Sequence, residues 1–329
     1  MKKIVSRDEE HLNRLEGKKV LVVGDLMIDQ YIWGDVSRMS PEAPVPVVGV
    51  DRETLRLGGA ANVANNIISL GGKVELCGVV GDDQMGRWIA QDLRKKGIGV
   101  RGVLLGGDRP TTIKTRVLAQ NQQVVRVDRE VTTLLSRDEE GTLLGAIRSF
   151  LDDCGALVIS DYAKGVVTPT LVREIVAMAE VEGVPVAVDP KVKHFAIYRG
   201  VTVLTPNLLE ASAGAGIIID SMDAIIEAGR MIMEKLDCRS LVITRGDQGM
   251  TLFTGDGKWV HIPAVGREVY DVTGAGDTVI ATIALGLASG LDLEDCARLS
   301  NVAAGVVVNE VGTVPITLDQ MRARLRELY

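Results

Sequence analysis

Histidine is scarce in this 329-residue chain, with three in all, and cysteine is nearly as rare, with four. His11, His194 and His261 stand far apart, so neither a zinc cluster nor a nucleophilic triad is suggested. Cys77, Cys154, Cys238 and Cys296 are also widely spaced and lie in apolar surroundings. They read as buried free thiols of a reducing compartment, not as a disulfide framework. Basic residues are in deficit: 37 Lys and Arg against 44 Asp and Glu leave a net charge of −7. That argues against a nucleic-acid partner but leaves room for a local basic pocket. No apolar run approaches the length that crosses a bilayer. The opening Met1-Lys2-Lys3 leads into charge and not into a signal-peptide core. A cytoplasmic protein without a membrane partner is expected. What the chain does have is 46% hydrophobic residues and 36 glycines, enough for a large core with many strand-to-helix turns. A single α/β domain over residues 1–329 accommodates both.

The most informative stretch is Asp271-Val272-Thr273-Gly274-Ala275-Gly276-Asp277, followed by the helix-forming run Thr278 to Leu285. Glycines just before a helix leave backbone N–H groups unpaired, and the helix dipole adds partial positive charge there, so an anion such as phosphate is favoured. Asp277 falls in the first turn. A carboxylate beside a transferring phosphate can orient and deprotonate an attacking hydroxyl. The plainer alternative makes Asp277 a dipole partner of its own helix. No Lys-Ser/Thr pair follows the glycines, which excludes a Walker loop, and Val279 stands where a dinucleotide fingerprint needs a small residue.

This stretch resembles the C-terminal signature of the ribokinase (PfkB) family of carbohydrate kinases. A second signature of that family matches Gly58-Gly59-Ala60-Ala61-Asn62-Val63-Ala64, continuing to Gly71 and Gly81. The resemblance covers essentially the whole chain. Thr282 departs from it, at a packing position where the family prefers Ala or Gly. The resemblance implies a ribokinase-like three-layer α/β/α sandwich with a small β-lid. It makes Asp277 the catalytic base and the turn Gly274, Ala275 and Gly276 the anion hole.

Along the chain, Lys18 to Gly24 reads as a buried strand opening a parallel sheet. Asp25 and Asp29 follow at its C-terminal end, where open α/β sheets place ligands. One of the two is expected merely to cap a turn, and the resemblance favours Asp29 as the acid that holds sugar hydroxyls. Residues 31–53, interrupted by Pro41, Pro44 and Pro46, suit edge strands and turns. With a hairpin over 111–128 they would form the lid. Gly58, Gly59 and Asn62 could meet substrate hydroxyls, or form a tight turn with an Asn cap. Arg116, beside Lys114 on one hairpin face, has the planar fork that grips phosphate, although such charges are commonly just solvated.

Two further buried strands end in Asp161-Tyr162-Ala163-Lys164-Gly165 and Asp189-Pro190-Lys191, at the same sheet edge as Asp29. Asp161, Lys164 and Lys191 are therefore candidate substrate contacts, the lysines for phosphate. Asn207 and Glu210 share a helix face and also fit a capping box. The family resemblance makes this Asn-x-x-Glu an organiser of ATP phosphates and Mg²⁺, with Glu210 as the metal-linked acid. It also implies nucleotide contacts at Thr244, Gly246 and Gly249, and an adenine wall at Asn301 and Gly305. Dense helix packing explains the last two equally well.

The wording Arg38-Met39-Ser40-Pro41-Glu42-Ala43-Pro44-Val45-Pro46-Val47 resembles the kinase part of bacterial heptose-phosphate kinase/adenylyltransferase proteins. The implied reaction is ATP- and Mg²⁺-dependent phosphorylation of D-glycero-β-D-manno-heptose 7-phosphate at its anomeric hydroxyl, on the route to ADP-heptose and lipopolysaccharide. The alternatives are a kinase for another sugar phosphate, such as a ketohexose phosphate, and a sugar- and nucleotide-binding regulator without turnover. Family lids often pair between subunits, so a homodimer through the lid is expected as well.

Overall fold

Val20 and Val22 turn to one hydrophobic core and Leu21 and Val23 to another. This strand is therefore covered on both faces, which is why it reads as an unbroken apolar run. The computed structural model describes residues 2–106, 109–120, 122–265, 271–310 and 312–328. In chain order the strands are β1 Lys19–Gly24, β2 Leu26–Met39, β3 Pro46–Gly59, β4 Lys73–Gly81, β5 Gly99–Gly106, β6 Thr112–Ala119 and β7 Gln122–Arg129. They continue with β8 Ala156–Ser160, β9 Val186–Asp189, β10 Val203–Leu204, β11 Ser240–Thr244, β12 Met250–Thr254 and β13 Trp259–Ile262.

The main sheet has nine strands in the order β13-β12-β11-β10-β9-β8-β1-β4-β5. It is parallel up to β11, while β12 and β13 add an antiparallel hairpin at one edge. One core packs each face, giving three layers, α/β/α. The chain first runs from β1 outward through β4 and β5, then returns to β8 and proceeds the other way. The order thus reverses between β1 and β8, and the crevice beyond the C-terminal ends of those strands is where a ligand fits. The four cysteines are free and buried, and burial pushes the Cys77 thiol up to about 12.

A second sheet, β3-β2-β6-β7, stands off the first. Its strands β2 and β3 are 14 residues each, longer than the lid expected at 31–53. They begin at Leu26 and end at Gly59, so the lid grows directly out of β1 and runs into the helix Ala60–Ser69. Pro41 and Pro44 lie in the connecting bend and Pro46 opens β3, positions where proline removes no ladder hydrogen bond. The hairpin β6–β7 falls close to the expected 111–128; Asn121 at its tip lies outside the described residues.

Register assigns the lid two unlike faces. Asp29 pairs with Arg56 and Lys114, Tyr31 with Arg116, Trp33 with Arg52, Lys114 with Asp128, and Arg116 with Arg126. Directly paired residues share a face. One face therefore carries Arg52, Arg56, Lys114, Arg116 and Arg126 with Asp29 and Asp128. The other carries Ile32, Leu55, Val117, Val125 and Val127 together with Gln30, Glu53, Thr115 and Arg129, and Val125 and Val127 are 46% and 56% exposed.

Candidate active site

The helix Ala275–Ala288 is buried from Asp277 to Gly286 and packs against β1, β8 and β9. Its N-terminus opens at the crevice between the sheets. Gly274 caps it with φ 82°, a left-handed conformation that glycine adopts without penalty. A Cβ on Gly276 would meet nothing within 4 Å, so this Cα faces open space. The first ladder bond runs from the Thr278 N–H to the Gly274 carbonyl. The amides of Gly276 and Asp277 therefore lie outside the helix ladder, available to an anion. The Ala275 amide instead donates to the Val272 carbonyl at 3.2 Å, so it is the weakest of the expected anion-hole donors.

Asp277 is buried, and both its carboxylate oxygens accept hydrogen bonds. Asn62 Nδ2 donates to Oδ2 at 2.6 Å, and the Tyr162 hydroxyl donates to Oδ1 at 2.6 Å. Burial raises its pKa, the two donors pull it back, Asp29 adds to the rise and Lys191 opposes it, for a value of about 6. A carboxylate in that range is ionised at neutral pH and still basic enough to take a proton. Asn62 is spent on Asp277 and on Asn66, whose Nδ2 donates to the Asn62 carbonyl at 3.0 Å.

Asp29 forms a buried ion pair with Arg116, whose guanidinium also lies 5.4 Å from the centre of the Tyr31 ring. Gly58 and Gly59 serve this corner by close approach. A Cβ on Gly58 would come 2.5 Å from Asp29 Oδ2, and one on Gly59 would come 2.4 Å from the Asp25 carbonyl oxygen. Asp25 is the acid of the pair that holds a turn: its carboxylate accepts from the backbone N–H groups of Tyr162, Lys164 and Val166. Asp161, expected at the substrate, is engaged by the Ala163 amide, His194 Nδ1 and the Tyr198 hydroxyl, and its side chain has no exposure. Asp161 thus lies beneath the site and holds the loop that carries Tyr162. Lys164 Nζ pairs with Glu130 at 2.8 Å, beside Lys114, while Lys191 Nζ sits 3.3 Å from Glu210 Oε1 and 5.7 Å from the Tyr162 ring centre.

Asn207 and Glu210 do form a capping box, with the Glu210 amide donating to Asn207 Oδ1 at 2.9 Å and the Asn207 amide to Glu210 Oε2 at 3.1 Å. The box leaves Glu210 Oε1 facing Lys191. Asp189, half-buried at the end of β9, is pushed well above the usual carboxylate range by burial, with Asp277 and Glu210 adding to the shift. Three acids with one lysine between them form a locus that a hydrated divalent cation would relieve. Among the described residues no group of three His, Cys, Asp or Glu could hold a bare metal ion.

Thr244 bridges to Asn207, so the Thr244–Gly246 turn lies next to the capping box, and a Cβ on the exposed Gly246 would meet nothing within 4 Å. Gly249 differs: a Cβ there would come 2.1 Å from the Ile262 carbonyl oxygen, so it is a packing position in the β11–β12 turn. Gly305 lines a cavity of about 810 Å³ with Val265, Val306, Asn309 and Arg324. Asn301 is buried behind that cavity and donates from Nδ2 to the Pro263 carbonyl at 2.7 Å. Sequence reasoning missed Tyr162 and Asp189 as members of the site. Both follow strands whose ends were correctly placed, but nothing in their spacing says which side chain turns inward.

The family model for pfkB family carbohydrate kinases matches residues 17–320. The chain belongs to that family. Among curated relatives of this pfkB chain, the bifunctional protein HldE of Geobacter sulfurreducens is 50% identical over 297 residues, covering 90% of this chain and 61% of that protein. The bifunctional protein HldE of Citrifermentans bemidjiense is 44% identical over 317 residues, covering 96% and 65%. The chain thus spans less than two thirds of the length of these relatives. The pfkB fold is also that of Arabidopsis thaliana ribokinase complexed with ribose and ATP, at TM-score 0.72 and 20% identity over 95% of this chain and 98% of that one. Escherichia coli phosphofructokinase-2 in complex with substrates and products superposes at TM-score 0.78, with 19% identity over 94% and 99%. Among the described residues no helix is long and apolar enough to cross a membrane.

Proposed function

We propose that the chain is one kinase domain, residues 1–329, that transfers the γ-phosphoryl group of ATP to the anomeric hydroxyl of D-glycero-β-D-manno-heptose 7-phosphate. The product is the 1,7-bisphosphate, on the route to ADP-heptose and lipopolysaccharide. The carrying observation is the composition of the lid face around Asp29. Five cations, Arg52, Arg56, Lys114, Arg116 and Arg126, share it with two acids, Asp29 and Asp128, on a chain whose net charge is −7. A neutral sugar has no use for that concentration of positive charge, whereas an acceptor already bearing a phosphate does. The identity to bifunctional HldE proteins and the wording of residues 38–47 favour the heptose phosphate among such acceptors.

In this reading the acceptor lies between the lid and the switch point, with Asp29 on its hydroxyls and Asp277 at the attacking one. The adenine occupies the cavity beside Gly305, and the phosphates pass the Thr244–Gly246 turn toward the amides of Gly276 and Asp277. Glu210 would hold Mg²⁺, which would supply charge neutralisation on the phosphate oxygens. Lys191 moves from Glu210 to the transferring phosphoryl group, a short swing for a half-exposed side chain. Asp277 accepts the hydroxyl proton, and the helix N-terminus stabilises the growing negative charge. Kinetics on the purified chain test the acceptor: kcat/KM for the heptose 7-phosphate should exceed that for ribose and fructose 6-phosphate. A preference for either of those would leave only the kinase class standing.

A homodimer through the lid follows from the same sheet's other face. Ile32, Leu55, Val117, Val125 and Val127, with Gln30, Glu53 and Thr115 among them, form a mixed face whose exposed valines a second copy would cover. Sedimentation should give a dimer, and Val125→Lys with Val127→Lys should shift it to monomer. A wild-type chain that sediments as a monomer at micromolar concentration would remove this part of the proposal.

A further inference from the structure

Tyr162 has no role in the reaction as described so far, yet its hydroxyl makes one of the two hydrogen bonds to the reacting carboxylate. The loop that carries it is clamped from below by two buried acids. Asp25 takes the amides of Tyr162, Lys164 and Val166 at 2.8, 3.0 and 3.1 Å, and Asp161 takes the amide of Ala163 at 2.6 Å. Ala163 sits at φ 54°, a left-handed conformation that an alanine keeps only when its surroundings impose it. Asp161 is itself held by His194 and Tyr198. These contacts end on one phenolic oxygen, 2.6 Å from Asp277 Oδ1.

We infer that Tyr162 is a positioning residue for the base: its hydroxyl, opposite the Asn62 amide, fixes the rotation of the Asp277 carboxylate and holds it ionised for proton abstraction. With Oδ1 and Oδ2 each taking one donor, the carboxylate cannot turn about its Cβ–Cγ bond. Its remaining lone pairs stay aimed at the acceptor hydroxyl. Burial pushes the Tyr162 phenol well above its usual range, with Asp277 adding to the shift, so Tyr162 stays a donor throughout and takes no proton itself. Lys191 Nζ lies 5.7 Å from the centre of the same ring. The charged and titratable groups facing Asp277 are Asp29 from β2, Tyr162 after β8, and Asp189 and Lys191 after β9. Only Tyr162 donates a hydrogen bond among these, which makes its removal readable.

The inference rests on Asp277 being the base, so Y162F and D277N are assayed together, with ATP and heptose 7-phosphate across pH 5–9. Y162F keeps the ring and loses only the hydroxyl. Its acidic limb in kcat should move up by about one pH unit, the scale of one hydrogen bond to a charged group. The rate loss should then be about five-fold at pH 6 and fade above pH 8, with the KM for ATP unchanged. A ¹³C titration of the Asp277 carboxyl reads the same shift without turnover. A Y162F limb identical to wild type, or a loss equal at every pH, overturns the inference while a dead D277N keeps the base. A Y162F chain without a cooperative melting transition overturns it too, since Tyr162 would then serve packing. Near-normal turnover by D277N removes the base reading itself.

Discussion

Asp277→Asn should lower kcat by roughly 10²–10⁴-fold, the usual contribution of a general base, while leaving ATP binding and the melting temperature close to wild type. Asn keeps the shape of the side chain: its amide oxygen can still accept from Asn62 Nδ2, and its NH2 can donate to the Tyr162 hydroxyl oxygen, so the pocket need not rearrange. What it cannot do is take the hydroxyl proton. The wild-type pH profile should bear the same signature. With the Asp277 pKa at about 6, the reactive form is the ionised one, and activity is lost as pH falls through that value. Steady-state rates and ATP affinity on the refined variant decide the matter. An Asn variant that turns over near the wild-type rate would take Asp277 out of the mechanism.

Arg116→Ala should be nearly as damaging, for a different reason. Arg116 is the ion-pair partner of the buried Asp29, and its guanidinium also lies against Tyr31. Removing one member of a buried pair leaves the other charge uncompensated, a loss of about 3–5 kcal/mol of stability, and kcat/KM should fall with it because Asp29 loses the partner that places it. Asp29 would then be free to rotate, and the acceptor hydroxyls would lose their anchor. If Arg116 also reaches the acceptor's phosphate, the variant should lose more on heptose 7-phosphate than on the unphosphorylated heptose. Equal losses on the two sugars would make Arg116 the holder of Asp29 alone. Full retention of kcat/KM on both would remove the ion pair from the site.

The glycine turn ahead of Asp277 and the Gly58-Gly59 pair announced the family, because their chemistry is local: a turn, a helix start and an unpaired amide are all written within seven residues. The strand-to-helix rhythm was legible for the same reason, since buried parallel strands are continuous apolar runs ending in Gly or Asp. The lid strands run beyond the expected span because Pro41, Pro44 and Pro46 dominate the local pattern, while pairing with β6 extends β2 and pairing with β2 extends β3 well beyond them.

The order of residues along the chain was enough to nominate Asp29 and Asp161, which follow apolar runs, and Asp277, which opens one after the glycine turn. Only the tertiary structure could divide their tasks. Asp161 meets His194 and Tyr198, 33 and 37 residues away, and is consumed by them. Asp29 meets Arg116 across 87 residues, and Asp277 meets Asn62 and Tyr162 across 215 and 115. A carboxylate's role depends on which donors and charges surround it once water is excluded, and contacts over such separations leave no period in the sequence to read. The chain's own order determined that a glycine-rich helix start and a row of acids would gather at one sheet edge. The packing of the lid and of the Tyr162 loop against that edge decided which donors and charges surround each acid.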